Sequence, residues 1–123
     1  MRLSEHFNLS EFESHDGAET PCDVKVNLKE LALNLEVLRA HLDVPVMVNS
    51  GYRSPYHNKR IGGAPKSQHL LGKAADIRTL KYSPRMIHAA IEQLISEGKM
   101  KQGGLGLYQN FVHYDIRGTK ARW

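Results

Sequence analysis

The stretch Ser67-Gln68-His69-Leu70-Leu71-Gly72-Lys73-Ala74-Ala75-Asp76-Ile77 sets the strongest condition on how this chain folds. It places an imidazole, His69, and a carboxylate, Asp76, on either side of Gly72 and the small pair Ala74 and Ala75, where the backbone can turn and pack closely. Two such groups do not hold a catalytic metal, so a fold that uses them must bring a third ligand from elsewhere. The best candidate is His113 in Phe111-Val112-His113-Tyr114-Asp115, flanked by strand-forming residues. Two histidines, one carboxylate and an open position for water form a common catalytic zinc arrangement. From spacing alone the same residues also read as hydrogen-bonded surface histidines and an aspartate at a turn.

Size and composition narrow the setting. At 123 residues the chain fits one domain, 1–123, and a fold of this size buries about two-thirds of the surface its unfolded chain exposes. Cys22 is the only cysteine, which excludes an internal disulfide and a four-cysteine zinc site. No apolar run approaches the roughly 20 residues of a membrane-spanning helix, so membrane insertion is not expected. The start, Met1-Arg2-Leu3-Ser4-Glu5-His6, has no apolar core of a secretory signal, and synthesis in a cytoplasm is expected. A net charge of +4 and a pI near 9.3 favour polyanionic surroundings: nucleic acid, an anionic membrane or the acidic polymers of a bacterial wall. The basic residues of the middle of the chain are scattered, without helix-turn-helix, zinc-finger or RNA-binding spacing, and nucleic acid is not expected as a partner.

The periodicities describe an α+β domain. Phe7, Leu9 and Phe12 anchor an otherwise irregular arm. Asn27 and Glu30 have capping-box spacing, and Leu28, Leu31, Leu35, Leu38 and Leu42 recur at helical intervals, which predicts a core helix from Asn27 to about Asp43. Val46 to Ser50 reads as a strand, Pro55 to Arg60 as a short helix capped by Ser54, and Ala74 to Arg78 as a second strand with His69 in the loop before it. A last helix starts at Ser83-Pro84, buries Ile87, Ala90, Ile91, Leu94 and Ile95, and stops at Gly98. Two strands, Gly104 to Tyr108 and Phe111 to Arg117, form a hairpin about Gln109-Asn110. The expected architecture is a small, largely antiparallel sheet with helices on one face. On the last strand His113 and Asp115 share one face while Val112, Tyr114 and Ile116 share the other.

On these residues the chain resembles the M15 zinc peptidases, a family that includes D-alanyl-D-alanine carboxypeptidases, dipeptidases and phage endolysins and shares its fold with the hedgehog signalling domain. The family pattern Ser-x-His-x-x-Gly-x-Ala-x-Asp is matched at Ser67, His69, Gly72, Ala74 and Asp76. A Gly-Tyr-Arg-Ser segment is matched at Gly51 to Ser54 and a His-x-Asp strand at His113 and Asp115. The resemblance extends to Glu11 and Phe12, Asp16 and Gly17, and the Ala121-Arg122-Trp123 ending.

What the resemblance implies is one zinc ion on His69, Asp76 and His113, with Arg53 stabilising an oxyanion or holding a substrate carboxylate. Ser67 is a candidate for binding substrate backbone or for capping its turn. Several relatives place a glutamate three residues before the last histidine ligand, where this chain has Asn110. Asp115 then stands as candidate general base, or as the group that orients an imidazole, with His57 a weaker alternative. The implied activity is hydrolysis of peptidoglycan stem or cross-link peptides by a monomeric enzyme acting at the bacterial wall, as a carboxypeptidase or an endopeptidase, and a phage or prophage lysin is the expected origin. The alternative is a weak or inactive zinc-bearing module that binds wall peptide or a protein partner.

Overall fold

The computed structural model describes residues 1–123. The leucine stripe forms helix α1, Cys22–Leu42, with Val24, Leu28, Leu31, Leu35, Leu38 and Leu42 all buried. Burying a leucine of this kind contributes about 2 kcal/mol of transfer free energy, so the stripe dominates the local energetics. The helix begins earlier than the Asn27–Glu30 spacing suggests. Pro21, in extended conformation, occupies the N-cap position, and with its fixed φ and no N–H it loses nothing at a helix start. Asn27 is therefore interior, and its side-chain amide donates to the Leu71 carbonyl at 2.8 Å, tying α1 to the segment that carries His69. Asp43 closes the helix in the left-handed region, φ 55°, its N–H donating to the Arg39 carbonyl.

Strand β1 (Met47–Ser50) and the short helix α2 (Pro55–Arg60) follow where expected. The Ser54 hydroxyl accepts from the His57 N–H at 3.1 Å and so caps α2. In the opening arm Phe7 and Phe12 meet edge to face at 5.9 Å in the core, and Leu9–Phe12 makes one 3-10 turn. The Glu11 carboxylate accepts the Asn8 N–H that opens this turn.

The remaining elements are β2 (Ala74–Arg78), α3 (Pro84–Ser96, capped by the Ser83 hydroxyl), β3 (Gly104–Leu107), β4 (Val112–Asp115) and β5 (Ala121–Arg122). They build a five-stranded sheet in the order β1-β2-β4-β3-β5. The expected antiparallel character holds for three pairings, β1 with β2, β2 with β4 and β3 with β4. β5, too short to leave a periodic signal, adds an unforeseen edge parallel to β3.

The register decides which side chains meet. Ala75 pairs with Tyr114 and Ile77 with Val112, and these residues join the leucines of α1 and the Ile87, Ile91 and Leu94 face of α3 in one core cluster. The intervening pairs, Ala74 with Asp115 and Asp76 with His113, point to the opposite face. One face of the sheet is thus the core, and the other carries the polar residues.

Candidate metal centre

Two local devices hold the three candidate ligands, a capped turn and a strand pairing. His69 lies in a single 3-10 turn, Gln68–Leu71, whose start is capped by the Ser67 hydroxyl accepting the His69 N–H at 3.2 Å. Gly72 ends the turn at φ +71°, a conformation that L side chains rarely adopt, and a Cβ there would also press on Val24 of α1. Asp76 and His113 are direct cross-strand partners on β2 and β4. All three side chains are buried, and one ligand atom from each lies within 4.8 Å of the other two.

Hydrogen bonds fix which atom each imidazole presents. His69 Nδ1 is 2.6 Å from the Gly51 carbonyl. That oxygen can only accept, so Nδ1 carries the proton and Nε2 faces Asp76 Oδ1 at 3.3 Å. His113 Nε2 is 2.8 Å from Asp115 Oδ2, which leaves Nδ1 toward Asp76 Oδ1 at 3.2 Å. One carboxylate oxygen therefore meets two imidazole nitrogens whose partners direct their lone pairs at it. The arrangement is repulsive when both rings are neutral and becomes attractive around a cation. Two nitrogens and one oxygen form a donor set that suits a divalent transition metal, zinc included.

The surrounding groups support that trio. Asp115 is fully buried, and its Oδ1 accepts from the Gly104 N–H, the Arg117 N–H and Arg117 Nε, while Oδ2 accepts from His113 and Arg117 Nη2. Burial alone would raise the Asp115 carboxyl, but the bonds from His113, Arg117 and the two backbone N–H groups outweigh it and hold the group far below the usual carboxylate range. For Asp76 burial opposes ionisation, while hydrogen bonds and charge from His113 and His69, if those imidazoles carry a proton toward it, hold its carboxyl below the usual carboxylate range. Burial likewise works against the protonated form of His113, yet the Asp115 and Asp76 carboxylates leave its pKa raised.

Arg53 is mostly buried and stands beside the trio, its donors 3.4 Å from Asp76 Oδ2, 3.3 Å from Asn58 Oδ1 and 3.4 Å from Ser50 Oγ. These are long contacts for a guanidinium, so its donors are free to tighten on another acceptor.

The trio opens into a cleft of about 560 Å³, which Arg53, Ser67, His69, Asp76 and His113 all line. Asp115 and His57 do not line it. His57 instead meets His15 edge to face at 5.9 Å. Of the tyrosines, Tyr108 reaches the cleft, Tyr52 and Tyr114 belong to the core, and Tyr56 is exposed. Sequence reasoning did not single out Lys66, Phe111, Arg117 and Trp123 as cleft residues. For Trp123 the available signal was its place in the Ala-Arg-Trp ending.

Comparison with known proteins agrees with this geometry. Among curated protein sequences none matches the chain. In structure it is similar to the crystal structure of the Serratia marcescens L-Ala D-Glu endopeptidase ChiX, with a TM-score of 0.51 over 79% of this chain and 88% of that one, at 19% identity. At that identity the likeness speaks for the fold. The sequence model of the family Peptidase M15 matches residues 5–115, a span that contains the histidine–aspartate–histidine trio and both strands that present it. The chain belongs to the M15 peptidases.

Proposed function

We propose that this protein is a zinc-dependent peptidase that hydrolyses bonds in the stem or cross-link peptides of bacterial peptidoglycan. The observation that carries the reading is the convergence of His69 Nε2, Asp76 Oδ1 and His113 Nδ1 within a buried 4.8 Å cluster at a cleft. The structural relative, named for its action on an L-Ala–D-Glu bond, supports a wall peptide as substrate.

His69, Asp76 and His113 would hold the zinc ion, which when bound would supply a Lewis acid and a water acidic enough to ionise near neutral pH. The chain's own residues do the rest. The Gly51 carbonyl keeps His69 in the tautomer that presents Nε2, and Asp115 keeps His113 in the one that presents Nδ1. Asp115, with every oxygen occupied and outside the cleft lining, is assigned this orienting role and not that of general base. Arg53 is placed to donate to a substrate carbonyl as negative charge builds on its oxygen, or to a substrate carboxylate. Ser67 caps the turn of His69 and still has a hydroxyl proton to offer the cleft.

The test is metal analysis of the purified protein together with mass spectrometry of products from defined muropeptides. Stoichiometric zinc with peptide release is expected, and the products separate endopeptidase from carboxypeptidase. Protein that takes up no divalent metal would defeat the proposal. A second reading, a zinc-bearing binder, rests on Asp76 being the sole carboxylate lining the cleft and on Asn110. Stoichiometric zinc without cleavage across several wall chemistries would favour it.

A further inference from the structure

Trp123 is the only tryptophan of the chain, and it packs beside His113. Backbone bonds from the Leu107 N–H to the Trp123 carbonyl and from the Trp123 N–H to the Leu105 carbonyl fasten it beside β3. Its ring centroid lies 4.8 Å from that of His113. The Arg117 guanidinium carbon is 5.6 Å from the ring, and the indole N–H donates to the Tyr108 hydroxyl at 2.8 Å. Gly106, opposite His113 in the register, makes the room: a Cβ there would fall on the indole itself. Despite these contacts Trp123 is 48% exposed and lines the cleft.

The part of the indole left open is a hydrocarbon π surface, because its one donor is already used. Tyr108 and Phe111 extend it as a stacked pair, 4.4 Å apart and 12° from parallel. Arg53, Lys66 and Arg117 share the cleft with Asp76 as the sole carboxylate, so a cationic ligand is disfavoured and an anionic one attracted. Three aromatic rings offer more area than one methyl group covers. They match the flat C–H face of a saturated six-membered ring, and the nearby cations match the carboxylates of an attached peptide.

We propose that Trp123, with Tyr108 and Phe111, forms a subsite for the amino-sugar ring of a muropeptide, so that the cleft recognises sugar and anionic peptide together. This deepens the peptidoglycan-peptidase reading and rests on it.

The experiment compares one wall peptide with and without its N-acetylmuramyl group. In the wild-type enzyme the sugar should lower KM about five- to tenfold, the range of one good aromatic contact. In Trp123→Ala that advantage should vanish with zinc content unchanged, and Trp123→Phe should restore part of it. Equal KM for both substrates in the wild type would overturn the proposal while leaving the peptidase reading intact. Loss of zinc from Trp123→Ala would recast the residue as support for His113.

A second measurement needs no variant and no turnover. Emission of the single tryptophan, followed in metal-free wild-type protein, should shift saturably with the muramyl peptide and at several-fold lower concentration than with the sugar-free peptide. That result would sustain the subsite even if neither compound were hydrolysed, and matching titrations of the two peptides would remove it.

Discussion

Replacing Asp115 by asparagine separates the two roles open to this residue. The carboxylate receives five hydrogen bonds, three at Oδ1 and two at Oδ2. An asparagine keeps one oxygen, so its NH2 must take one of those two places. At Oδ1 it would confront two backbone N–H groups that cannot move. At Oδ2 it would confront Arg117 Nη2, which can turn to solvent, and His113 Nε2, which can become an acceptor by changing tautomer. The second orientation is favoured, and it puts the His113 proton on Nδ1, pointing at Asp76. Metal binding must then reverse that tautomer against the amide, and a loss of about 10- to 100-fold in metal affinity is expected. Breaking a buried charge pair costs about 3–5 kcal/mol. Arg117 retains 30% side-chain exposure, so a discounted loss of about 2–3 kcal/mol in stability is the better figure. Competition with a chromophoric chelator measures the first quantity and urea unfolding of the metal-free proteins the second. A variant with wild-type zinc affinity and urea midpoint but no turnover would refute this reasoning and return Asp115 to the role of proton acceptor.

Other substitutions test separate parts of the structure. His69→Ala and His113→Ala should each abolish stoichiometric zinc, and intact metal content by mass spectrometry in either variant would remove that residue from the ligand set. Leu35→Ala, at a fully buried position of α1, should lower stability by about 2–5 kcal/mol in urea unfolding; an unchanged midpoint would contradict the core described. Chelation should lower the melting temperature and leave far-UV circular dichroism unchanged, with zinc restoring the original value. The Asp16 carboxyl is lowered from 3.8 to about 2 by the Ser14 and Ser54 hydroxyls. Its contribution is therefore present above about pH 4 and is lost as pH falls toward 2. Asp16→Asn should flatten acid unfolding over that window, and an unaltered acid profile would show that the Ser54 contact adds nothing.

The features legible in the sequence were those with a period or a fixed spacing. The alternation of Val112, Tyr114 and Ile116 with His113 and Asp115 identified both faces of β4, and the Ser-x-His to Asp spacing located the other two ligand candidates. The groups that complete the site had no such signature. The Gly51 carbonyl that orients His69 is backbone and leaves no side-chain mark. Arg117 is held at the cleft by Asp115, two residues before it, and Trp123 follows β5, whose two residues cannot show alternation. The start of α1 was misplaced because Asn27 and Glu30 imitate a capping box, whereas burial of Val24 against Gly72 makes it favourable to extend the helix to Cys22. Tertiary packing outweighed local capping there, and only the fold reveals the partner.

The same packing bears on how the ion and the fold depend on each other. In small zinc modules the ligands are unplaced without metal, and binding free energy is folding free energy. Here the strands that carry Asp76 and His113 are fixed from behind: Ala75, Ile77, Val112 and Tyr114 are all fully buried in a core that owes nothing to the ion. His69 is held in front by its Ser67 cap, by the Gly51 carbonyl and by the left-handed turn at Gly72. What the core cannot relieve is local, namely two imidazole nitrogens aimed at one carboxylate oxygen. A bound cation removes that conflict and, at a thousandfold over its dissociation constant, adds about 4 kcal/mol. That is a large share of the 5–15 kcal/mol by which native domains are stable, but it is added to a scaffold already formed. The candidate centre is therefore preorganised by hydrophobic burial on the opposite face of the sheet, and with the proposed ion in place three ligands would leave room for a substrate where a structural site would close with four.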